Sequence, residues 1–407
     1  MQTPLLVDPA HADVRVEFGI ARAEVALEFA NRATAELWAA IADTLDEARA
    51  HPEVFVVPGL ELRPQERIDF SVRAAAADLA VRLGISEASV RSHDAHVHTL
   101  RSRVPRLWAE FREGRILPAN ARTAADLALS LPDDSEMLAR FDAELAGPAE
   151  QLAPARFRTR ARALRDRLCA DTLAERAAAA RESRGVWLDD DIDGMSWLSL
   201  LMPAATAHRA YAGIDAAARK LRAVDGEERT LAQLRADVAS DVLTGEGSAE
   251  PVGVSVAVTV PVLTLLGRSD EPGTLDGYGP IDAQTARELA GLAPSFTRLL
   301  VHPVSSAVLD VDRTTYRVPA DLKKWLAVRD RTCVFPGCGR PASGSDIDHT
   351  RAWEHGGTTR ASNLAHVCRH HHRLKHQTRW RLEQSADQKL AWTSPTGAVR
   401  ASDPPPF

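Results

Sequence analysis

The sequence predicts a mainly α-helical chain with a small α/β element and a compact, metal-stapled module near its C-terminal end. Three observations carry that expectation. Residues 15–180 are dense in Ala, Leu, Arg and Glu, with apolar side chains at three- and four-residue spacing, the signature of amphipathic helices. In VGVSVAVTVPV, Val252, Val254, Val256, Val258 and Val260 alternate with small or polar residues, the period of a half-buried strand. Three of the four cysteines, Cys333, Cys338 and Cys368, fall within 36 residues and among histidines.

Taken in order, VEFGIARAEVALEFANRATAELWAAIADTLDEARA reads as one long helix, and REGRILPANARTAADLALSLP as another bounded by prolines. Between them, AAADLAVRLGISEASVRSHDAHV places a helix end near Gly84, a short turn, and Ser86 where it can cap a second helix. That pattern suits a DNA-reading helix-turn-helix or an ordinary helical hairpin. His93, His96 and His98 have no cysteine nearby and are read as surface or core residues. Cys169 lies in a helical pattern and is expected to be an inert buried thiol. Residues 183–250 open with a strand-like MSWLSLL and continue as helices; a further strand is expected in VSSAVLDVD, residues 304–312, after the turn and helix of GYGPIDAQTARELAGL. RVPADLKKWLAVRD supplies a helix leading into the C-terminal module, and the Pro- and Ser-rich SPTGAVRASDPPPF is expected to fray. The expected divisions are a helical domain at 1–250, an α/β element continuing it at 251–320, the compact module at 321–385 and a frayed tail at 386–407.

No run of about eighteen apolar residues is present, which excludes a helical membrane span. MQTPLLVDPAHADVRVEF lacks the basic start and apolar segment of a signal peptide, so a cytoplasmic location is expected. Charge is unevenly distributed. Residues 323–382 hold twelve Lys or Arg against four Asp or Glu, a balance of +8, which leaves −14 for the rest of a chain of net charge −6. A basic module on an acidic body suits a polyanionic partner.

Without an export signal, clustered cysteines favour a metal site over disulfides. Cys333 and Cys338 flank a turn containing Pro336 and Gly337, and Cys368 precedes His371 by three residues. Two such pairs predict a tetrahedral Cys₃His zinc site. Extended pieces at DIDH and LAHVC, a glycine turn between them and a helix from about His370 make a unit with little core of its own, for which zinc is a suitable staple. On that helix His372 and His376 share a face while His371 projects elsewhere. One histidine run can therefore serve two metal sites.

RDRTCVFPGCGRPASGSDIDHTRAWEHGGTTRASNLAHVCRHHHRLKH resembles a zinc-bearing HNH endonuclease, in the branch with a long helical domain of unknown function ahead of the nuclease. The resemblance extends over most of residues 20–385. It implies a ββα-metal module, cleavage of DNA, a structural zinc ion, and Mg²⁺ or Mn²⁺ as the catalytic ion. It implies His349 as general base, Asp348 and His372 as ligands of the ion on the scissile phosphate, and Asn363 orienting the base-bearing loop or approaching that metal. His376 is then a third ligand, or else meets phosphate or solvent. Arg351, Arg369, Arg373 and Lys375 are expected to grip phosphates, and Trp353 and Trp380 to be local core. Many family members have His where this chain has Asp348; a carboxylate is equally competent as a ligand and favours hard ions. A non-catalytic, zinc-stapled DNA-binding or regulatory protein is the alternative. Zinc alone would need none of Asp348, His349, Asn363 and His372.

Overall fold

The computed structural model describes residues 12–169, 173–245, 258–275, 278–291, 318–385 and 389–402. Two compact units result: Met1–Leu173 with Leu300–Phe407, and Ala174–Leu299. This division differs from the expected boundaries at 250 and 320. The helices of the N-terminal half and the C-terminal module share one unit, because they share a hydrophobic core.

That unit begins with helices α1 (Ala12–Ala50), α2 (Pro64–Leu83), α3 (Glu87–Arg103), α4 (Pro105–Arg112), α5 (Pro118–Leu129), α6 (Ser135–Gln151) and α7 (Pro154–Leu168). Their starts follow local chemistry. Proline opens α2, α4, α5 and α7, where its missing N–H would go unbonded anyway. Gly84 ends α2 in the left-handed region at φ 68°, and the Ser86 side chain accepts a hydrogen bond from Ser89 N, 3.0 Å, to cap α3. Trp38, Leu100, Phe111, Phe141 and Phe157 build one core among these helices. Cys169 is buried against that core, as expected.

The second unit contains α8 (Leu173–Glu182), the antiparallel hairpin β1 (Gly185–Asp190) and β2 (Ser196–Leu201), then α9 (Ala204–Arg222) and α10 (Leu231–Thr244). Next come β3 (Val258–Thr259), α11 (Val262–Leu265), β4 (Gly273–Leu275), β5 (Gly279–Ile281) and α12 (Ala283–Gly291), with strand order β3–β4–β5. The α/β element is thus present, although Val252, Val254 and Val256 and the strand expected at 304–312 lie outside the described residues.

The chain re-enters the first unit through α13 (Ala320–Asp330), followed by β6 (Asp346–His349), β7 (Leu364–Val367) and α14 (Arg369–Gln377), the ββα arrangement. β6 and β7 are antiparallel, with Asp348 opposite Ala365 and His349 opposite Leu364. Strands β8 (Arg381–Gln384), β9 (Leu390–Thr393) and β10 (Val399–Ala401) then form an antiparallel sheet. The frayed tail expected at 386–407 is therefore corrected: ordered structure continues to Ser402. Leu382, Leu390 and Trp392 are buried, and the Pro-Thr-Gly stretch is turn chemistry, with Gly397 at φ 90° and Ser394 Oγ accepting from Ala398 N at 3.0 Å.

A second core joins the module to the helices. Ile41 and Leu45 of α1, Ala74–Ala77 of α2 and Val90 of α3 pack with Phe335, Val367, Leu374, Trp380 and Trp392. The alanine run lets the module approach closely, and Trp380 Nε1 donates to Ala74 O at 3.2 Å. The end of α13 is tied to β7 by a buried pair: Arg329 donates to Ala361 O and Leu364 O at 2.7 and 2.6 Å and pairs with Asp330 at 2.6 Å. Asp330 in turn accepts from His366 N at 2.8 Å. Burial alone would raise its carboxyl, but His366 and Arg329 outweigh that and hold it below the usual range. Asp330→Ala leaves a buried guanidinium without its carboxylate, and is expected to cost about 3–5 kcal/mol in a denaturant titration. A loss under about 1 kcal/mol would show that the pair carries no such burden. No helix among the described residues is long and apolar enough to cross a membrane.

Candidate metal centres

Cys333 and Cys338 come from the turn after α13, Cys368 follows β7 as the N-cap of α14, and His371 lies in the first turn of α14. Their ligand atoms all fall within 4.8 Å of one another. His371 Nδ1 lies 3.4 Å from Cys333 Sγ and 3.3 Å from Cys368 Sγ. Zinc bonds of about 2.3 Å to sulfur and about 2.1 Å to nitrogen at tetrahedral angles put N and S about 3.6 Å apart, so the set fits zinc. Its electrostatics fit too. Burial alone would lower the His371 imidazole, but Cys338, Cys368 and Glu87 outweigh it and raise it to about 10, as expected of a pocket that attracts positive charge. Hydrogen bonding to Cys338 and Cys368, with burial, pushes the Cys333 thiol up, while Cys333, Cys338 and His371 bring Cys368 down against burial.

The structure also brings Asp348, His372 and His376 together, with ligand atoms within 4.8 Å. Asp348 Oδ1 is 3.7 Å from His372 Nε2, and Oδ2 is 3.3 Å from His376 Nε2. Neighbouring ligands at bonds of about 2.0–2.1 Å stand about 3 Å apart at right angles, so a divalent ion fits with small adjustments. Although burial opposes it, His376 and Lys375 hold the Asp348 carboxyl well below its usual range. Burial lowers His372, which leaves a neutral imidazole suited to ligation.

His349 is 6% exposed. Successive residues of β6 point to opposite faces, so while Asp348 meets α14, His349 turns toward the following loop. Its Nε2 lies 3.2 Å from Thr359 Oγ1 and its ring 5.8 Å from that of Trp353. Burial lowers its pKa, keeping it neutral near pH 7.

Asn363 orients that loop. Its Oδ1 accepts from Thr350 Oγ1 and Arg351 N, both at 2.8 Å, and its Nδ2 donates to Arg351 O at 3.1 Å and Thr358 O at 2.9 Å. These bonds occupy both ends of the amide and tie it to the loop at Thr350, Arg351 and Thr358. Gly357 permits this packing: a Cβ there would stand 1.9 Å from Arg351 O.

Other expectations change. Lys375 was expected at a phosphate, but its ammonium lies 2.7 Å from Asp348 Oδ2 and also donates to His349 O. It is a cation inside the Asp348/His372/His376 cluster, three residues after His372 on the same helix. Arg351, Arg369 and Arg373 are exposed as phosphate contacts require, although Arg351 donates to His355 O and Arg373 lies over the Phe70 ring. Trp380 is core, whereas Trp353 is 37% exposed beside His349. The helix–turn–helix geometry of α2 and α3 is present, but α3 buries Val90, His96, Val97 and Leu100, and its first turn meets α14. It is a packed hairpin, not a free reading helix. Glu87 was missed in the sequence: its carboxylate lies 2.9 Å from His370 Nε2 and 2.8 Å from His371 Nε2.

The ββα module with its two Cys/His/Asp clusters defines an HNH-type domain behind a helical domain. Comparison with known families agrees: a model described as HNH endonuclease matches residues 333–378, and one described as a domain of unknown function, DUF222, matches residues 30–330. The chain belongs to the DUF222 family and carries an HNH endonuclease domain after the DUF222 region. It is 29% identical over 382 residues to the uncharacterized protein Rv3776 of Mycobacterium tuberculosis H37Rv, covering 81% of this chain and 70% of that one. Over 90 residues it is 44% identical to the uncharacterized proteins MT2160 and Rv2100 of M. tuberculosis strains CDC 1551 and H37Rv, covering 22% of this chain and 16% of each relative. No solved structure matches the chain.

Proposed function

We propose that the chain is a metal-dependent endonuclease that hydrolyses DNA phosphodiester bonds, with Mg²⁺ or Mn²⁺ at Asp348, His372 and His376 and a structural Zn²⁺ at Cys333, Cys338, Cys368 and His371. The observation that carries the reading is the second cluster. A carboxylate and two imidazoles converge beside His349 and apart from the zinc set, and a structural staple requires none of them. The divalent ion supplies Lewis acidity and charge neutralisation at the scissile phosphate. His349 accepts a proton from the attacking water at a ring nitrogen. Asn363 and Gly357 fix the loop that holds His349, and Thr359 restrains its ring. Exposed Arg351, Arg369 and Arg373 hold flanking phosphates without reading sequence. The ammonium of Lys375, already paired with Asp348, favours the second reading: a zinc-stapled DNA-binding or regulatory protein in which that lysine takes the place of the ion.

Nicking of supercoiled plasmid with Mn²⁺, Mg²⁺ or chelator separates the two. The enzyme reading expects ion-dependent nicking and a loss of about 10²-fold or more in Asp348→Asn, on the scale of catalytic group removal. Intact plasmid under every ion condition, with zinc bound, supports the second reading. Structured RNA run in parallel reports on the choice of nucleic acid.

A further inference from the structure

We infer that the helical domain completes the zinc centre, with Glu87 of α3 acting as the positioning residue that sets the ring nitrogen His371 offers to zinc. The inference rests on the zinc fit and is independent of whether the chain cuts DNA.

His371 has its two nitrogens in different hands. Nδ1 faces the sulfurs of Cys333 and Cys368, and Nε2 stands 2.8 Å from Glu87 Oε1. A neutral imidazole that ligates through Nδ1 must carry its proton on Nε2, and that buried proton needs an acceptor. Glu87 Oε1 is that acceptor. Such outer carboxylates fix both the tautomer and the ring direction of a metal-bound histidine and increase its basicity. His370 holds the other oxygen, with Nε2 2.9 Å from Oε2, so two consecutive histidines grip one carboxylate from two directions. The Phe335 ring, stacked on His371 at 3.9 Å and 8°, fixes the ring plane from the opposite element.

The position of Glu87 follows from α3 itself. The left-handed turn at Gly84 and the Ser86 cap start the helix there. An acid in a first helical turn is favoured by the helix dipole wherever it points. Here it points at a ligand 284 residues away in sequence. The carboxylate is mostly buried, and besides the histidines it takes an Arg91 guanidinium at 3.1 Å. Zinc loading and the seating of α3 on the module are therefore one linked equilibrium: what strengthens one must strengthen the other by the same factor. This gives the DUF222 region a physical role, as the outer wall of the metal centre.

The test uses the full chain. Zinc affinity is measured by competition with a chromogenic chelator, and thermal unfolding is followed with and without zinc, for the parent, Glu87→Ala, Glu87→Gln and His370→Ala. Loss of an outer carboxylate is expected to weaken zinc binding about 10–100-fold in Glu87→Ala. Glu87→Gln, which keeps an acceptor oxygen without the charge, should fall between it and the parent, and His370→Ala should lose less than Glu87→Ala. Destabilisation by Glu87→Ala should be larger with zinc than without. Parental zinc affinity in a folded Glu87→Ala, or equal destabilisation in both conditions, overturns the inference. If Glu87→Ala does not fold, parental affinity in the near-isosteric Glu87→Gln overturns it. A parent chain that binds no zinc overturns it together with the zinc assignment.

Discussion

His349→Ala is expected to lower plasmid nicking by about 10²–10⁴-fold, the range for loss of a positioned general base, while zinc content stays at the parental level. The side chain is buried beneath the loop that Asn363 ties down, and its backbone pairing with Leu364 in the β6–β7 ladder does not need the ring. The substitution therefore removes the proposed proton acceptor and leaves the module standing. The pH profile supplies an independent sign. Burial lowers this imidazole from its ordinary 6.5, so the neutral, proton-accepting form persists below pH 6.5. The midpoint of the acid limb of nicking should therefore lie below pH 6.5. A variant that nicks at the parental rate, or an acid limb with its midpoint above pH 6.5 in the parent, removes His349 from the chemistry.

The second large effect belongs to the zinc set. Cys368→Ser, or chelation of the parent chain, should release zinc and melt the module together with the face of the helices that holds it. Apparent zinc binding energies in small Cys/His sites are about 10–16 kcal/mol, and in such modules that energy is folding energy. Cys368 belongs to the core shared by Ile41, Leu45 and Val90 of the helices with Phe335, Trp380 and Trp392. Loss of even ~4 kcal/mol should lower Tm by ~10 °C in a unit of this size, and the fluorescence of Trp380 and Trp392 should shift to the red as they meet water. An unchanged melting temperature after complete zinc removal would show that the core stands without its staple.

The two clusters were legible in the sequence because their information is local. Cys368 and His371 are three residues apart at the start of one helix, and His372 and His376 are four apart on one face of it, so helical geometry decides their grouping before any tertiary contact forms. The DIDH and LAHV strands are likewise short elements close in sequence, joined by one loop that contains the glycine turn. Lys375 was misplaced for the opposite reason. Its stem could carry the ammonium out to solvent or back toward β6, and only the position of Asp348 across the sheet settles that it turns inward. The tail was misread because Pro, Ser and Gly serve frayed ends and tight turns alike; the burial of Trp392 against Phe335 makes it a turn.

By itself the chain determined its helices, the grouping of Cys333, Cys338, Cys368 and His371, and the shared face of His372 and His376 on α14, all properties of spacing along a backbone with fixed repeat. Tertiary structure decided what stands around them: Glu87 behind His371, Asp330 under Arg329, Trp380 on the alanine face of α2, and Thr359 over His349. These contacts join residues brought together by burial of a shared core. Burial is non-directional and depends on which surfaces meet, so no local pattern encodes which carboxylate will face which histidine.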